Sequence, residues 1–238
     1  RTMGNYPGED RNIMEVFLSV CRQADIPVTI PEAVVGTCCS QIFSSKGYAD
    51  AWKFTANRVV DRLWDASLHG QLVIVTDVSS CAQTLQHLEP ALDTDHREKY
   101  RQMRFLDAVD LLHDRVIPIL PYTPVKQHVM LHPVCTLERN GGTPKLRKIA
   151  ERCAEKVTIP LNAGCCGMAG DRGFLFPELT ASATRNEAQE ALGSSCDGHY
   201  ATTRTCELAL SEATGKDYAS ILYLVDEALR TRGSQPEK

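Results

Sequence analysis

The sequence predicts an α/β fold made of two pseudo-repeated lobes, each a mainly parallel sheet flanked by helices. Short apolar runs of the buried-strand type alternate with stretches of helical periodicity, the pattern of strands joined by crossover helices. One ordered set of features also occurs twice, at an offset that stays between 125 and 132 residues.

Each element follows from its own pattern. Ile13, Val16, Phe17, Val20 and Cys21 recur at helical spacing behind Asp10, which reads as the cap. Residues 26–30, closed by Pro31, read as a strand. After Cys38-Cys39 comes a loop with Ser44-Ser45-Lys46-Gly47, then a long helix over residues 48–68 ended by Gly70. Its apolar members Trp52, Phe54, Val59 and Leu63 read as core. Residues 72–76 form a continuous apolar strand of the buried parallel type, and Cys81 opens the next helix behind a Ser-rich turn. Residues 105–116 read as helix, and Pro118, Pro121 and Pro124 as a linker. Residues 129–131 are a strand running into His132-Pro133-Val134-Cys135. Helix over 144–154, strand over 157–159 and the glycine-flanked loop Cys165-Cys166-Gly167 follow. Helix over 177–192, strand over 200–202, a helix opening near Cys206 and a last helix over 221–230 complete the chain.

The repeat is carried by four matched features. Cys21 with Val28-Thr29-Ile30-Pro31 answers Cys153 with Val157-Thr158-Ile159-Pro160, and Cys38-Cys39 answers Cys165-Cys166. Ser45-Lys46-Gly47 answers Asp171-Arg172-Gly173, and the segment around Cys81 answers the one around Cys206. This divides the chain into a first cysteine-rich lobe over residues 1–122 and a second over 123–238, joined near residues 120–126. Cys135 stands 30 residues before Cys165 with no counterpart in the first lobe, so that lobe reads as truncated at its start.

Of 238 residues, 30 are acidic and 26 basic, a net charge of −4 that argues against a nucleic-acid binder. No apolar run reaches the roughly 18 residues of a membrane span, and no secretory signal opens the chain. The start, Arg-Thr-Met-Gly, reads as native sequence entered midway, and residues 231–238 as a fraying polar tail. Ten cysteines are more than an ordinary enzyme of this size carries, and without a signal peptide reduced thiols are the expectation.

Cys135, Cys165, Cys166 and Cys206 therefore read as ligands of one metal group, and Cys38, Cys39 and Cys81 as an incomplete second set. The single cysteines follow a strand and open a helix, where α/β proteins place ligands and where helix N-termini favour thiolates. Four convergent thiolates suit a tetrahedral zinc or an iron–sulfur cluster. Cys21 and Cys153 read as core cysteines. Cys196 is either a surface thiol or a ligand. His132 is a strand-end histidine or a donor behind the ligands. Lys46 and Arg172 read as loop charges or as cations that hold an anionic cluster or a partner's carboxylates.

The pattern Cys135…Cys165-Cys166-Gly167…Cys206 resembles the tandem cysteine-rich CCG domain. That domain occurs in iron–sulfur subunits of glycolate oxidase, anaerobic glycerol-3-phosphate dehydrogenase, lactate-utilisation proteins and heterodisulfide reductase. The likeness is closer still to the C-terminal region of fused FAD-linked D-lactate dehydrogenases. It lies in Gly36-Thr37-Cys38-Cys39, Ser44-Ser45-Lys46-Gly47, Gly170-Asp171-Arg172-Gly173, Pro177-Glu178-Leu179-Thr180, Asn186-Glu187-Ala188 and Arg204-Thr205-Cys206-Glu207-Leu208. The resemblance implies an oxidoreductase part that carries a [4Fe–4S] cluster. It passes electrons from FAD, bound on a preceding flavoprotein domain or subunit, toward quinone or cytochrome. It also implies a cytoplasmic location, or a peripheral one on the inner face of the membrane, with the catalytic residues unknown and outside these residues. The heterodisulfide reductase version closes each motif with Cys-x-x-Cys. Here Ala82-Gln83-Thr84 follows Cys81 and Glu207-Leu208-Ala209 follows Cys206, and Ser40 stands where the motif has Gly. A structural zinc or metal-free docking module and a thiol–disulfide reductase are the competing readings.

Overall fold

A computed structural model describes residues 6, 8–32, 35–120 and 123–232. Residues 1–5, residues 121 and 122 of the expected joint, and the tail from 233 lie outside them. The elements run in an order that itself repeats. The first series is α1 (Ile13–Gln23), α2 (Gln41–Ser45), α3 (Ala49–Ala66), β1 (Val73–Thr76), α4 (Ser79–Gln86), α5 (Thr94–Tyr100), β2 (Arg104–Asp107) and α6 (Ala108–Leu111). The second opens with β3 (Lys126–Leu131) and α7 (Cys135–Arg139), then α8 (Thr143–Cys153) and β4 (Ala154–Thr158). It continues with α9 (Arg172–Leu175), α10 (Pro177–Leu192), β5 (Gly198–Ala201), α11 (Arg204–Thr214), β6 (Tyr218–Ser220) and α12 (Ile221–Arg232). Thus α1, α2, α3, β1, α4 and β2 stand in the order of α8, α9, α10, β5, α11 and β6.

Packing divides the chain differently from the repeat. Arg1–Val28 and Val109–Lys238 form one compact unit, and Thr29–Ala108 the other. The first 28 residues belong with the second repeat because α1 lies on α12. A clamp fixes it there: the buried Asp226 carboxylate accepts from Arg11 at 2.5 Å, Ser19 at 2.7 Å and Arg230 at 2.9 Å. The start of α1 is closed by Asn12, whose side chain accepts from the Glu15 N–H while Glu15 accepts from the Asn12 N–H. Asn12, not Asp10, is therefore the cap, because only it has a glutamate three residues on.

In the larger unit four parallel strands lie in the order β4-β3-β5-β6. The chain steps one way from β3 to β4 and the other way through β5 to β6. With right-handed crossovers this puts the helices on two faces: α8 packs with α12, which also carries α1, and α10 packs with α11. The strand order reverses between β3 and β5, and the carboxyl ends of strands at such a reversal are where open α/β sheets place ligands. Val129, Leu131, Leu146, Ile149, Leu222 and Val225 fill the core beneath, and Cys153 is buried in it. Cys21, on α1, is equally inaccessible.

The smaller unit pairs β1 with β2 in parallel, covered by α3, α4 and α5 around Val59, Val60, Leu85, Leu88 and Tyr100. Four sequence expectations change here. Residues 26–30 form no strand. Pro27 removes a ladder donor, and among the described residues no strand stands beside this run as β3 stands beside β4. Residues 104–107 are β2 rather than helix, because Phe105 and Leu106 pair with Ile74 and Val75; the helix starts only at Ala108. β1 is not deeply buried: Val73 is 37% exposed, since its sheet has two strands. Phe54 points outward from α3, with the Arg58 guanidinium 5.5 Å over its ring.

Candidate metal centre

Three of the four parallel strands deliver cysteines to the same edge of the larger unit. β3 leads through His132 to Cys135, the first residue of α7. β4 leads to the loop with Cys165-Cys166, and β5 leads through Thr202 and Thr203 to Cys206 in the first turn of α11. The reversal of strand order between β3 and β5 sets Cys135 and Cys206 at the starts of the helices that follow adjacent strands.

The loop works because of Gly167. Its φ is +76°, a left-handed conformation that L side chains resist, and an added Cβ would lie 2.7 Å from the Leu179 carbonyl oxygen. This tight reversal aims two backbone N–H groups at sulfur: Gly167 donates to Cys165 and Met168 to Cys166. The first repeat has the same construction. Ser40 takes φ 72°, its N–H meets Cys38 Sγ at 3.4 Å, and the Gln41 N–H donates to Cys39. Both aromatic residues that precede the following long helices, Tyr48 and Phe176, hold ψ at 75°. The duplicated loops thus share a left-handed residue after the cysteine pair as well as the pair itself.

In the second repeat the four thiols stand as two pairs. Cys166 and Cys206 Sγ atoms are 2.8 Å apart, and Cys135 hydrogen-bonds Cys165. All ten cysteines are free. The Cys135 bond draws Cys165 down to about 5, helped by the Gly167 N–H and, more weakly, by His132 and Arg139. The bond to Cys206 lowers Cys166 likewise, and the two donors Cys135 and Cys206 are pushed up by the same bonds and by burial. In the first repeat Cys38 bonds Cys39 and Cys39 bonds Cys81, which lowers Cys81 and raises Cys38. Every cysteine expected from the sequence as a ligand therefore has another of its own set as an electrostatic partner. Cys196 does not; its contact is Ser194 Oγ at 3.1 Å. Among the described residues no three His, Cys, Asp or Glu side chains stand together as a ready site for a single ion. Lys46 follows α2 and Arg172 opens α9, both exposed.

One partner of the site has only a faint sequence signal. Glu187, 2% exposed, holds His132 Nδ1 at 2.7 Å from α10. It lies on the buried face of α10 with Thr180, Thr184, Ala188 and Ala191. That face is too weakly apolar to mark the glutamate as internal.

Parts of the chain are similar in sequence to known proteins. Residues 129–211, from β3 into α11, match the cysteine-rich domain family CCG. Over 204 residues, 85% of this chain, it is 22% identical to an uncharacterized iron–sulfur protein of Methanocaldococcus jannaschii, of which it covers 38%. Over 221 residues, 89% of this chain, it is 26% identical to one subunit of the fumarate reductase (CoM/CoB) of Methanothermobacter marburgensis, of which it covers 42%. The chain thus spans less than half the length of these curated relatives. Among the described residues no helix is long and apolar enough to cross a membrane.

Proposed function

We propose that the chain is the iron–sulfur electron-transfer region of a flavin-dependent 2-hydroxy-acid dehydrogenase of the D-lactate or glycolate type. It would take electrons from FAD on a flavoprotein domain or subunit and pass them toward quinone or cytochrome, in the cytoplasm or at the inner membrane face. One observation carries the iron–sulfur part: Cys135, Cys165, Cys166 and Cys206 converge from three parallel strands at the point where the strand order reverses. The character of both relatives supports it, one an iron–sulfur protein and one part of a reductase. The flavin and hydroxy-acid part rests on the likeness of the segments around Lys46, Arg172 and Glu187 noted above.

The residues present fit such a group. Thiolates are its normal ligands, and two backbone N–H groups already point at two of the sulfurs. Four convergent thiolates suit an iron–sulfur cluster or a tetrahedral zinc, and metal content after reconstitution separates the two. When bound, a cluster accepts and releases single electrons at a potential set by burial and by hydrogen bonds to sulfur. The chain's own part is to hold four thiolates and to donate the Gly167 and Met168 N–H bonds. Lys46 and Arg172 would place positive charge beside an anionic group or a partner's carboxylates. The trio Cys38, Cys39 and Cys81 forms a second candidate set on the duplicated loop.

Anaerobic reconstitution tests this. Iron and sulfide should each reach about four per complete set, survive Cys196→Ser, and be lost from the second repeat in Cys166→Ser and Cys206→Ser. A protein that takes up one zinc and no iron under those conditions would sink the proposal.

A further inference from the structure

His132 is fully buried immediately after β3, and its backbone N–H donates to the Tyr200 carbonyl at 2.8 Å. The residue is therefore locked between β3 and β5, at the reversal of strand order and on the edge that delivers the cysteines. Its ring is fixed as well, with Nδ1 2.7 Å from Oε1 of the buried Glu187. The other ring nitrogen, Nε2, is buried and has no hydrogen-bond partner. Such an atom is costly to keep unless something meets it. His132 stands three residues before Cys135, and a positive charge on it lowers both Cys165 and Cys166.

We propose that His132 is a positioning residue that donates an Nε2 N–H bond to a sulfur of the bound cluster or of its ligands Cys165 and Cys166, with Glu187 orienting the ring. The proposal rests on the cluster reading above and goes beyond it by naming the donor that tunes the group. Thiolate and sulfide only accept hydrogen bonds, so Nε2 must carry the proton. The short Nδ1–Oε1 contact then holds a second proton, on whichever of the two atoms it resides. Glu187 thus fixes the ring; unlike a metal-bound histidine, whose outward nitrogen is a bare lone pair, His132 here presents Nε2 with its proton. A donor aimed at sulfur stabilises the reduced, more negative cluster, so its removal lowers the potential.

The test is an EPR-monitored redox titration of the reconstituted full chain, with iron and sulfide counted in each sample. His132→Phe should shift the reduction equilibrium at least about tenfold toward the oxidised form, a fall of about 59 mV for one electron. His132→Gln, whose amide can offer an N–H near the Nε2 position, should recover most of that shift. Glu187→Ala, which frees the ring, should shift the potential in the same direction. Pulsed EPR on protein with 15N-histidine should show a weak nitrogen coupling in the wild type that disappears in Glu187→Ala. Potentials equal to wild type in His132→Phe and Glu187→Ala, with full iron, overturn this proposal and leave the cluster reading standing. Should His132→Phe fail to hold iron, Glu187→Ala and the 15N coupling decide alone. A wild type that takes up no iron overturns both.

Discussion

Replacing Gly167 with alanine should cost the larger unit about 2–4 kcal/mol. The left-handed backbone at φ +76° charges an L residue about 1 kcal/mol by itself. The new Cβ would also sit 2.7 Å from the Leu179 oxygen, and 3.0 Å from the Leu179 carbonyl carbon and the Thr180 Cα. All three are backbone atoms in the first turn of α10, so no rotamer can step aside and the helix start must move. Overpacking of this kind adds about 1–3 kcal/mol. Urea unfolding of the metal-free protein, followed by far-UV circular dichroism, reads the loss directly. A thermal scan should show the transition lower by about 2–4 °C for each kcal/mol. The first repeat supplies the control. Ser40 holds nearly the same φ, 72°, as a residue with a side chain, so Ser40→Gly should be stabilising by up to about 1 kcal/mol. A Gly167→Ala protein within about 0.5 kcal/mol of wild type would refute the claim that this loop is a backbone device held against α10.

Three further outcomes are expected. In metal-free protein Cys165 and Cys38 are both exposed, but the Cys135 bond lowers Cys165 to about 5 while the Cys39 bond and burial raise Cys38. Iodoacetamide at pH 6.5 should therefore label Cys165 first, with a rate that falls as pH drops through 5; mass spectrometry that finds Cys38 modified first would contradict the pairing. Asp226→Ala should destabilise by about 3 kcal/mol, since it removes the buried acceptor of Arg11, Ser19 and Arg230. Hydrogen exchange should then show α1 opening before α8, and equal protection of α1 in both proteins would refute the clamp. His96 is opposed by burial but raised on balance by its bonds to Asp93 and Asp61. Its contribution to the smaller unit is complete below its unfolded value near 6.5 and fades as pH rises through the raised one, so stability between pH 6 and 8 should slope downward in wild type and flatten in His96→Gln.

The cysteine sets could be read from the chain because their spacing repeats, and each spacing encodes a strand, a loop and a helix start. The same logic failed where an element depends on a neighbour that the local pattern does not contain. Residues 26–30 look like residues 157–159, yet only the latter segment lies beside a partner such as β3, and Pro27 weakens the former further. Residues 104–107 carry a pattern that serves a helix or a strand equally, and pairing with β1 decides it. β6 escaped notice because Tyr218-Ala219-Ser220 is only three residues long. Glu187 escaped because a buried carboxylate on a Thr- and Ala-lined helix face looks like an ordinary solvated one. What the sequence could not show was therefore long-range: a ladder partner, or a histidine 55 residues away.

The two repeats differ in one physical respect that bears on what each can hold. Their loops are built alike, with N–H groups aimed at both adjacent sulfurs. In the second repeat each sulfur of the pair has its own outside partner, Cys135 for Cys165 and Cys206 for Cys166, so two thiolates are stabilised independently. In the first repeat Cys39 must serve both ways, accepting from Cys38 and donating to Cys81, so one chain of three thiols stabilises one thiolate, on Cys81. A strand-borne fourth thiol in the place of Cys135 would relieve Cys39 of that double duty. The first set should accordingly bind metal less tightly than the second, and stepwise chelation followed by iron analysis of Cys81→Ser and Cys206→Ser proteins reads the order: metal retained longer in Cys206→Ser than in Cys81→Ser would reverse the assignment.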